Sequence, residues 1–396
     1  MRALRALVPV LVAATVVACG NGDAGGAAPE PPITAPPVPA ARDLAPVLPA
    51  PSGDRGGSGE GSDGEEGAAA DEDREPVNQE GVEVDAQPGD TPLPAAQEVR
   101  GPAASVTVSG AADLVQALAA AAPGQVIRLA DGTYDGGFVA TASGRPDAPI
   151  YLCGGRGAVL DGGGIREGYV LHLDGATHWR LVGFSVRNGQ KGVMADGTVG
   201  SVIQCLSVSG IGDEAIHLRG HSTDNLVIGN EITDTGNRRA KFGEGVYVGS
   251  AVSNWCTVTD CLPDRSDRNV IAGKSISDTT AEGVDIKEGT TGGLLADNTF
   301  DGAGTVEADS WVDVKGTAWT IRGNRGTNAP LDGFQTHEIE DRWGDRNLFE
   351  ANTISGTAKL DDRGRPGYGI ALRPERDNVV RCDNSASGGI EPTRVV

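Results

Sequence analysis

Apolar and polar residues alternate in seven short segments of this chain. In one of them, Val284 and Ile286 are apolar, whereas Asp285 and Lys287 are charged. Such alternation is typical of a β-strand with one buried and one exposed face. The segments recur at irregular intervals, which indicates a repeat with connections of variable length. They occupy residues 192–196, 215–219, 245–249, 283–287, 311–315, 333–337 and 369–373.

A second short apolar segment runs in phase with these strands and usually ends on asparagine. Asparagines at equivalent turns of a coiled sheet can hydrogen-bond one another, and they tolerate left-handed backbone. Lys274 takes this place in one copy. Two phased strands per coil predict an all-β fold, a single-stranded right-handed parallel β-helix, which is a solenoid. The asparagines are Asn230, Asn298, Asn324, Asn352 and Asn384.

The repeat region begins with a different pattern. Residues 109–118 predict a short amphipathic helix, and residues 126–129 predict a strand. A helix at this position would cover the open end of the first coil. We therefore predict one β-helix domain over residues 103–396 with a short N-terminal capping helix, and we expect a monomer.

The first 102 residues indicate export and a linker. Residues 1–19 combine two arginines, an apolar run and small residues, which is typical of a secretory signal. Cys19 resembles the lipidated cysteine of a bacterial lipoprotein, although an ordinary signal peptide with an incidental cysteine is the alternative. Residues 20–102 are rich in Gly, Ala, Pro and acidic residues, which predicts a disordered stalk. We therefore expect an extracytoplasmic protein, anchored to the cell membrane through Cys19 or secreted.

Charge and cysteine content narrow the possible functions of the protein and the compartment in which it folds. The net charge of −22 excludes a typical nucleic-acid-binding protein, which needs a basic footprint. Cys256 and Cys261 lie in one long insertion and are close enough to form a disulfide in an oxidising compartment. Cys153, Cys205 and Cys382 leave an odd count, of which one pair could be oxidised.

The outward-facing residues of the seven strands form columns, because equivalent positions in neighbouring coils lie roughly 4.8 Å apart. An acidic column lies upstream and contains Glu214, Glu244 and Glu282. The central column is Met194, His217, Tyr247, Asp285, Asp313, Gln335 and Ala371. The lysine column is Asp196, Arg219, Gly249, Lys287, Lys315, His337 and Arg373.

Stacked carboxylates predict a cation. Asp285 and Asp313 would repel each other on adjacent coils unless something neutralises them. With Glu244 and Glu282 beside them, a bound calcium ion is one solution, since calcium accepts several carboxylate oxygens in flexible geometry. The alternative is a charge ladder in which Lys287 and Lys315 neutralise the aspartates.

The two stacked lysines suggest a general base. Like charge next to each amine, together with a nearby cation, should lower the lysine pKa, and a neutral lysine can accept a proton. His337 continues the lysine column and is a third catalytic candidate. The predicted substrate-binding residues are Arg219, Arg373, Gln335 and Tyr247, of which the arginines can grip carboxylates.

Several segments resemble secreted parallel β-helix proteins of the pectate-lyase-like superfamily. These are the start at residues 112–134, the asparagine repeat, and residues 282–289 and 309–316. The resemblance implies calcium held by Glu244, Glu282, Asp285 and Asp313, with Lys287 or Lys315 as the base. It implies a polysaccharide lyase that cleaves a uronic-acid polymer by β-elimination.

Two other functions stay open. A glycoside hydrolase would use Asp285 and Asp313 as its carboxylate pair, at about the 5 Å separation of retaining chemistry. A non-catalytic surface lipoprotein would bind glycans through the insertion at residues 250–268. In that case Trp255, Trp311, Trp319 and Trp343 could stack on sugars.

Overall fold

The computed structural model describes residues 101–166, 168–356, 359–361, 363–364, 366–373 and 375–395. The predicted signal segment with Cys19 and nearly all of the predicted stalk lie outside the described residues. In the described part, no helix is both long and apolar enough to span a membrane.

Short strands make up most of the described chain. They are β1 (Val106–Val108), β2 (Val126–Leu129), β3 (Gly132–Asp135), β4 (Phe138–Ala140), β5 (Ile150–Cys153), β6 (Ala158–Asp161), β7 (Tyr169–Asp174), β8 (Trp179–Val182), β9 (Ser185–Arg187), β10 (Lys191–Asp196), β11 (Val202–Gln204), β12 (Ser207–Ser209), β13 (Ile216–Arg219), β14 (Leu226–Ile228), β15 (Glu231–Ile232), β16 (Val246–Val248), β17 (Val270–Ala272), β18 (Ser275–Ser277), β19 (Val284–Ile286), β20 (Leu294–Ala296), β21 (Thr299–Asp301), β22 (Ser310–Val314), β23 (Thr320–Arg322), β24 (Arg325–Ala329), β25 (Asp332–Thr336), β26 (Leu348–Glu350), β27 (Thr353–Gly356), β28 (Tyr368–Leu372), β29 (Val379–Val380), β30 (Ser385–Ser387) and β31 (Glu391–Val395).

Helices are short. They are α1 (Ala111–Ala119) and α2 (Trp255–Val258), and 3-10 turns cover Ala240–Phe242, Val252–Asn254 and Gly302–Gly304. Helix α1 buries Leu114, Ala117 and Leu118 and packs against β1, β3 and β4. It therefore covers the end of the first coil, which confirms the predicted cap.

The strands form three parallel sheets, and each coil contributes one strand to each sheet. Among the described residues, sheet I contains 11 strands in the order β1-β2-β5-β8-β11-β14-β17-β20-β23-β26-β29. Sheet II runs from β3 to β30, and sheet III runs from β4 through β7, β10, β13, β16, β19, β22, β25 and β28 to β31. The predicted parallel β-helix is confirmed, and sheet III contains all seven segments of the first repeat.

One continuous core fills the solenoid. The inward residues of sheet III are stacked aliphatic side chains such as Val284 and Val312, which are fully buried. Towards the C-terminal end, the core contains a cluster of aromatic rings from all three sheets, formed by Phe300, Trp311, Phe334 and Phe349. Trp311 and Trp319 are buried in this core, and Trp255 is 8 % exposed, so these three indoles are not free to stack on a sugar.

The asparagine ladder is confirmed. Asn298 Nδ2 donates to Asn324 Oδ1 over 2.9 Å, and Asn324 Nδ2 donates to Asn352 Oδ1 over 3.0 Å. The left-handed residue is not the asparagine itself but the one before it, as at Gly323 with φ 63°. A second ladder, which the sequence analysis missed, joins Asn225 to Asn269 over 3.1 Å.

Cys256 and Cys261 form a disulfide in the connection between β16 and β17, in agreement with the sequence analysis. Cys153 and Cys382 are free thiols in the described part of the chain. Burial raises the pKa of Cys153 to about 11, which suits a packing role rather than reactivity.

Candidate active site

The central column has the predicted register. Tyr247 pairs with Asp285, Asp285 with Asp313, and Asp313 with Gln335, each on consecutive strands of sheet III. These side chains face away from the core, yet they are not wet as the alternation predicted. Tyr247 is 9 % exposed, Asp285 2 % and Asp313 6 %. The expectation was wrong because neighbouring lysines and loops cover this face.

The lysine column neutralises the two aspartates. Lys287 Nζ lies 2.5 Å from Asp285 Oδ2. Lys315 Nζ bridges the pair, at 2.9 Å from Asp285 Oδ1 and 2.6 Å from Asp313 Oδ2. The four groups form a compact ion-pair network, which is the charge ladder that the sequence analysis held as the alternative to calcium.

This network corrects the predicted lysine pKa. Burial lowers the pKa of Lys287 and of Lys315, but the charges of Asp285 and Asp313 outweigh it, and both pKa values lie above their usual range. The prediction of a lowered pKa considered the neighbouring lysine and not the carboxylates between the two amines.

The downstream residues of the face are also held by carboxylates. His337 Nδ1 lies 2.9 Å from Asp313 Oδ1. Arg373 pairs with Asp332 at 2.7 Å and also donates to Gln335. His337, Gln335 and Arg373 therefore lie together beyond Lys315, as predicted, and each already has a partner.

Three carboxylates gather at the upstream edge of the network. One oxygen each of Glu244, Glu282 and Asp285 lies within 4.8 Å of the others. Among the described residues, Glu244 Oε2 is buried without a hydrogen-bond partner. Burial, and then the neighbouring carboxylates, raise the pKa of Glu244 well above its usual value and that of Glu282 to about 7. Such mutually destabilised carboxylates fit a hard cation. Asp313, which was also predicted as a metal ligand, is not in this group of three. Its oxygens lie against Lys315 and His337.

A pocket of about 210 Å³ opens on the same face, upstream of the lysines. Lys191 forms an ion pair with Glu214 on its floor. Burial, and then Lys191 and Arg219, hold the pKa of His217 well below its usual value, so this imidazole is neutral. The pocket is lined by Gln190, Lys191, Asp213, Glu214, His217, Arg219, Arg238, Phe242, Tyr247, Ser250, Asn254 and Val258.

Arg219 and Tyr247, two of the predicted binding residues, line this pocket. Lys191 and His217 also line it and were not predicted as site residues. Their positions in the strand repeat were the available signal, since Lys191 directly precedes one copy and His217 lies in the central column.

A comparison with solved structures identifies the family. The alginate lyase from Paenibacillus sp. str. FPU-7 is 34% identical over 72% of this chain and 98% of its own, with a TM-score of 0.64. This chain belongs to the family of that β-helix alginate lyase. As a member of this lyase family, it has the fold of carbohydrate-active parallel β-helix proteins.

Two further solved structures are much less similar to this chain. The pectate lyase Pel9A is 15% identical over 68% of this chain and 72% of its own, with a TM-score of 0.44. The PL6 family alginate lyase AlyGC is 15% identical over 73% of this chain and 53% of its own, with a TM-score of 0.33. No family model matches the chain, and no curated protein matches it.

Asp196 should make the folding stability of this protein depend on pH. Burial raises the pKa of Asp196, but His172 at 2.8 Å and Arg219 at 2.6 Å outweigh it, and the pKa falls to about 2. A depressed carboxyl pKa stabilises the fold above the unfolded value near 3.8. That contribution is lost as the pH falls from about 4 to about 2. We expect Asp196→Asn to lose less stability than the wild type over this interval, as measured by urea unfolding at each pH. An equal loss in both proteins would contradict this assignment.

Proposed function

We propose that the protein is a polysaccharide lyase that cleaves an acidic, uronic-acid polymer by β-elimination. The single observation that carries this proposal is that Lys287 contacts both Asp285 and the pocket-lining Tyr247, on a chain that is 34% identical to an alginate lyase. β-Elimination next to a carboxylate needs a base, an acid and stabilisation of the developing negative charge. A lysine, a tyrosine and a group of carboxylates that can hold a cation lie close together on this face.

Lys287 is the base that fits the geometry best. Its Nζ has one aspartate partner and lies 4.8 Å from the ring centroid of Tyr247, which lines the pocket. The Lys315 amine is shared between Asp285 and Asp313 instead, so we assign Lys315 to hold the network together. Because the ion pair with Asp285 raises the pKa of Lys287, only a small fraction of this amine is neutral at neutral pH. In the proposed reaction, that neutral amine takes the proton from C5 of the uronate, and the C–H electron pair forms the C4–C5 double bond.

Tyr247 is placed to protonate the departing oxygen. Burial, and then Asp285 and Glu244, raise the pKa of the Tyr247 hydroxyl well above its usual value, so it stays protonated at neutral pH. As the C4–O bond breaks, the hydroxyl proton passes to the leaving glycosidic oxygen. We propose that Arg219, which also lines the pocket, orients the polymer there.

Calcium fits the cluster of Glu244, Glu282 and Asp285. The buried, unpartnered Glu244 oxygen and the raised pKa of both glutamates support this choice. Bound calcium would neutralise the uronate carboxylate and would thereby make the C5 proton more acidic. Glu244, Glu282 and Asp285 would hold it, and an Asp285 oxygen engaged there would leave Lys287 with a lower pKa and hence a better base.

The same proposal places the enzyme outside the cytoplasm. The apolar start of the chain and the Cys19 pattern support a lipid anchor at the cell membrane. A polymeric substrate in the cell's surroundings fits that location.

A substrate panel tests the proposal. The full chain is incubated with polymannuronate, polyguluronate and polygalacturonate, with calcium or with a chelator. We expect near-ultraviolet absorbance from new unsaturated ends with at least one polymer, and its loss with chelator and return with calcium. New reducing ends without this absorbance would contradict elimination, and unchanged polymer would favour glycan binding alone. A chelator-resistant rate would contradict the calcium assignment only.

Hydrolysis by Asp285 and Asp313 is the second candidate, and the ion pairs speak against it. A retaining hydrolase needs one protonated carboxylic acid. Burial raises the pKa of Asp313, but Lys315 and His337 outweigh burial and hold the pKa below its usual range. A carboxylate held in this charged form is a poor general acid.

A further inference from the structure

The connection between β16 and β17 is much longer than its counterparts. It runs over residues 249–269, whereas the equivalent connection after β13 runs only over 220–225. It carries the Val252–Asn254 turn, helix α2 and the disulfide. We call residues 250–264 the inserted wall, because Ser250, Asn254 and Val258 line one side of the pocket.

Asp264 anchors the inserted wall to the solenoid. This fully buried carboxylate accepts hydrogen bonds from the backbone N–H groups of Gly220 and His221, each over 2.9 Å. It also accepts from Ser250 Oγ over 2.7 Å and from Ser266 Oγ over 2.8 Å. The two backbone donors directly follow β13, whose residues line the pocket, so they tie the loop to the solenoid. The two serine donors lie near the two ends of the loop and tie those ends together.

Two further contacts stiffen the inserted wall. Glu288 Oε1 accepts a hydrogen bond from the Val252 N–H over 2.6 Å. The buried Trp255 indole donates to the Ser250 carbonyl over 2.9 Å. The wall is therefore a preformed surface, which spares a bound ligand the entropic cost of ordering it.

The pocket beside this wall has balanced charges. Lys191 pairs with Glu214, Arg238 with Asp213, and Arg219 with Asp196. The cations of the pocket are therefore already neutralised, and they attract a further carboxylate less strongly than unpaired cations would. By contrast, the side-chain amide of Asn254 is exposed and makes no hydrogen bond within the described residues. Such an amide can donate to and accept from sugar hydroxyls.

We propose that the inserted wall forms a sugar-binding subsite that reads the hydroxyl groups, not the carboxylate, of a ring adjacent to the one that is cleaved. Asn254 contacts that ring, and Asp264 is the positioning residue that holds Asn254 over the pocket. This inference rests on the proposed lyase function, and it assigns specificity to a loop that contacts the residue after Lys287 through the hydrogen bond from Val252 to Glu288.

Two variants and one control test the subsite. Asn254→Ala removes the amide from an exposed position and is expected to raise KM about 5- to 10-fold with less than a twofold change in kcat, since the amide is proposed to contact a ring other than the one that is cleaved. Asp264→Asn replaces one of the two accepting oxygens by an amide donor, which then faces one backbone N–H group and one serine hydroxyl. It is expected to raise KM similarly and to speed hydrogen exchange within residues 250–264. Asp345→Asn is the control, because buried Asp345 accepts from Thr317 Oγ1 over 2.7 Å but lies outside the pocket.

The outcomes are distinct. The Asp345→Asn protein is expected to lose stability while its KM stays at the wild-type value. If the wild type yields unsaturated products and Asn254→Ala leaves KM unchanged, the subsite is refuted and the lyase function stands. If both wall variants change KM no more than the control does, the positioning role is refuted as well. If the wild type yields no unsaturated product, the lyase function falls and the subsite falls with it.

Discussion

Replacement of Lys287 by alanine is expected to lower kcat by about 10²- to 10⁴-fold, the usual contribution of a general base. The change removes the amine beside Asp285 and Tyr247 but leaves the pocket and its floor intact. KM should therefore change little. The measurement is the initial rate of near-ultraviolet absorbance increase on the polymer that the wild type cleaves best.

Two experiments distinguish the loss of a positive charge from the loss of a general base. One uses the Lys315→Ala variant, and the other adds amines to Lys287→Ala. Lys315→Ala also removes a partner of Asp285, so an equal loss of kcat in both variants would indicate electrostatics rather than a base at Lys287. Small primary amines in the buffer should restore part of the Lys287→Ala activity, with the more basic amines more effective. The assignment of Lys287 would be refuted if Lys287→Ala retained wild-type kcat.

Replacement of Asp285 by alanine is expected to cost about 3–5 kcal/mol of unfolding free energy, in addition to activity. Asp285 is the shared partner of Lys287 and Lys315, whose side chains are only 13% and 11% exposed. Without it, Lys287 is left unpaired in a poorly hydrated site, and Lys315 keeps only Asp313. The measurement is urea unfolding at neutral pH and fixed salt.

Asp341→Ala is the matched control for this stability effect. Asp341 lies 3.8 Å from Arg342 and 3.4 Å from Arg376, and its own side chain is 79% exposed, so its loss should cost less than about 1 kcal/mol. Similar stability losses for the two variants would mean that the lysine–aspartate network on sheet III is not a buried unit. Asp285→Asn keeps the shape of the side chain and should lie between the wild type and Asp285→Ala.

The coil register could be predicted from sequence because it depends on backbone pairing and a period of two. Val284 and Ile286 must enter the core together, which forces Asp285 outward and sets it beside Asp313 on the next coil. The asparagine ladder adds an independent constraint, since each amide reaches only the neighbouring coil.

The electrostatics of the site could not be predicted in the same way. Whether a lysine repels its neighbour or pairs with a carboxylate depends on where a flexible four-carbon side chain ends. Lys315 reaches back to the preceding coil to touch Asp285, a contact that strand register alone does not specify. The pocket was also incomplete in the sequence analysis, because one wall comes from an insertion outside the strand repeat.

The mass of the oligosaccharides released from a polyuronate tests the central claim most directly. Elimination leaves one end of each cut unsaturated, so the product series of the wild type should be lighter by one water molecule than the series from hydrolysis. The Lys287→Ala protein should release that series far more slowly. Products with the mass of hydrated chains, formed at equal rates by both proteins, would contradict β-elimination at the Lys287 face of sheet III.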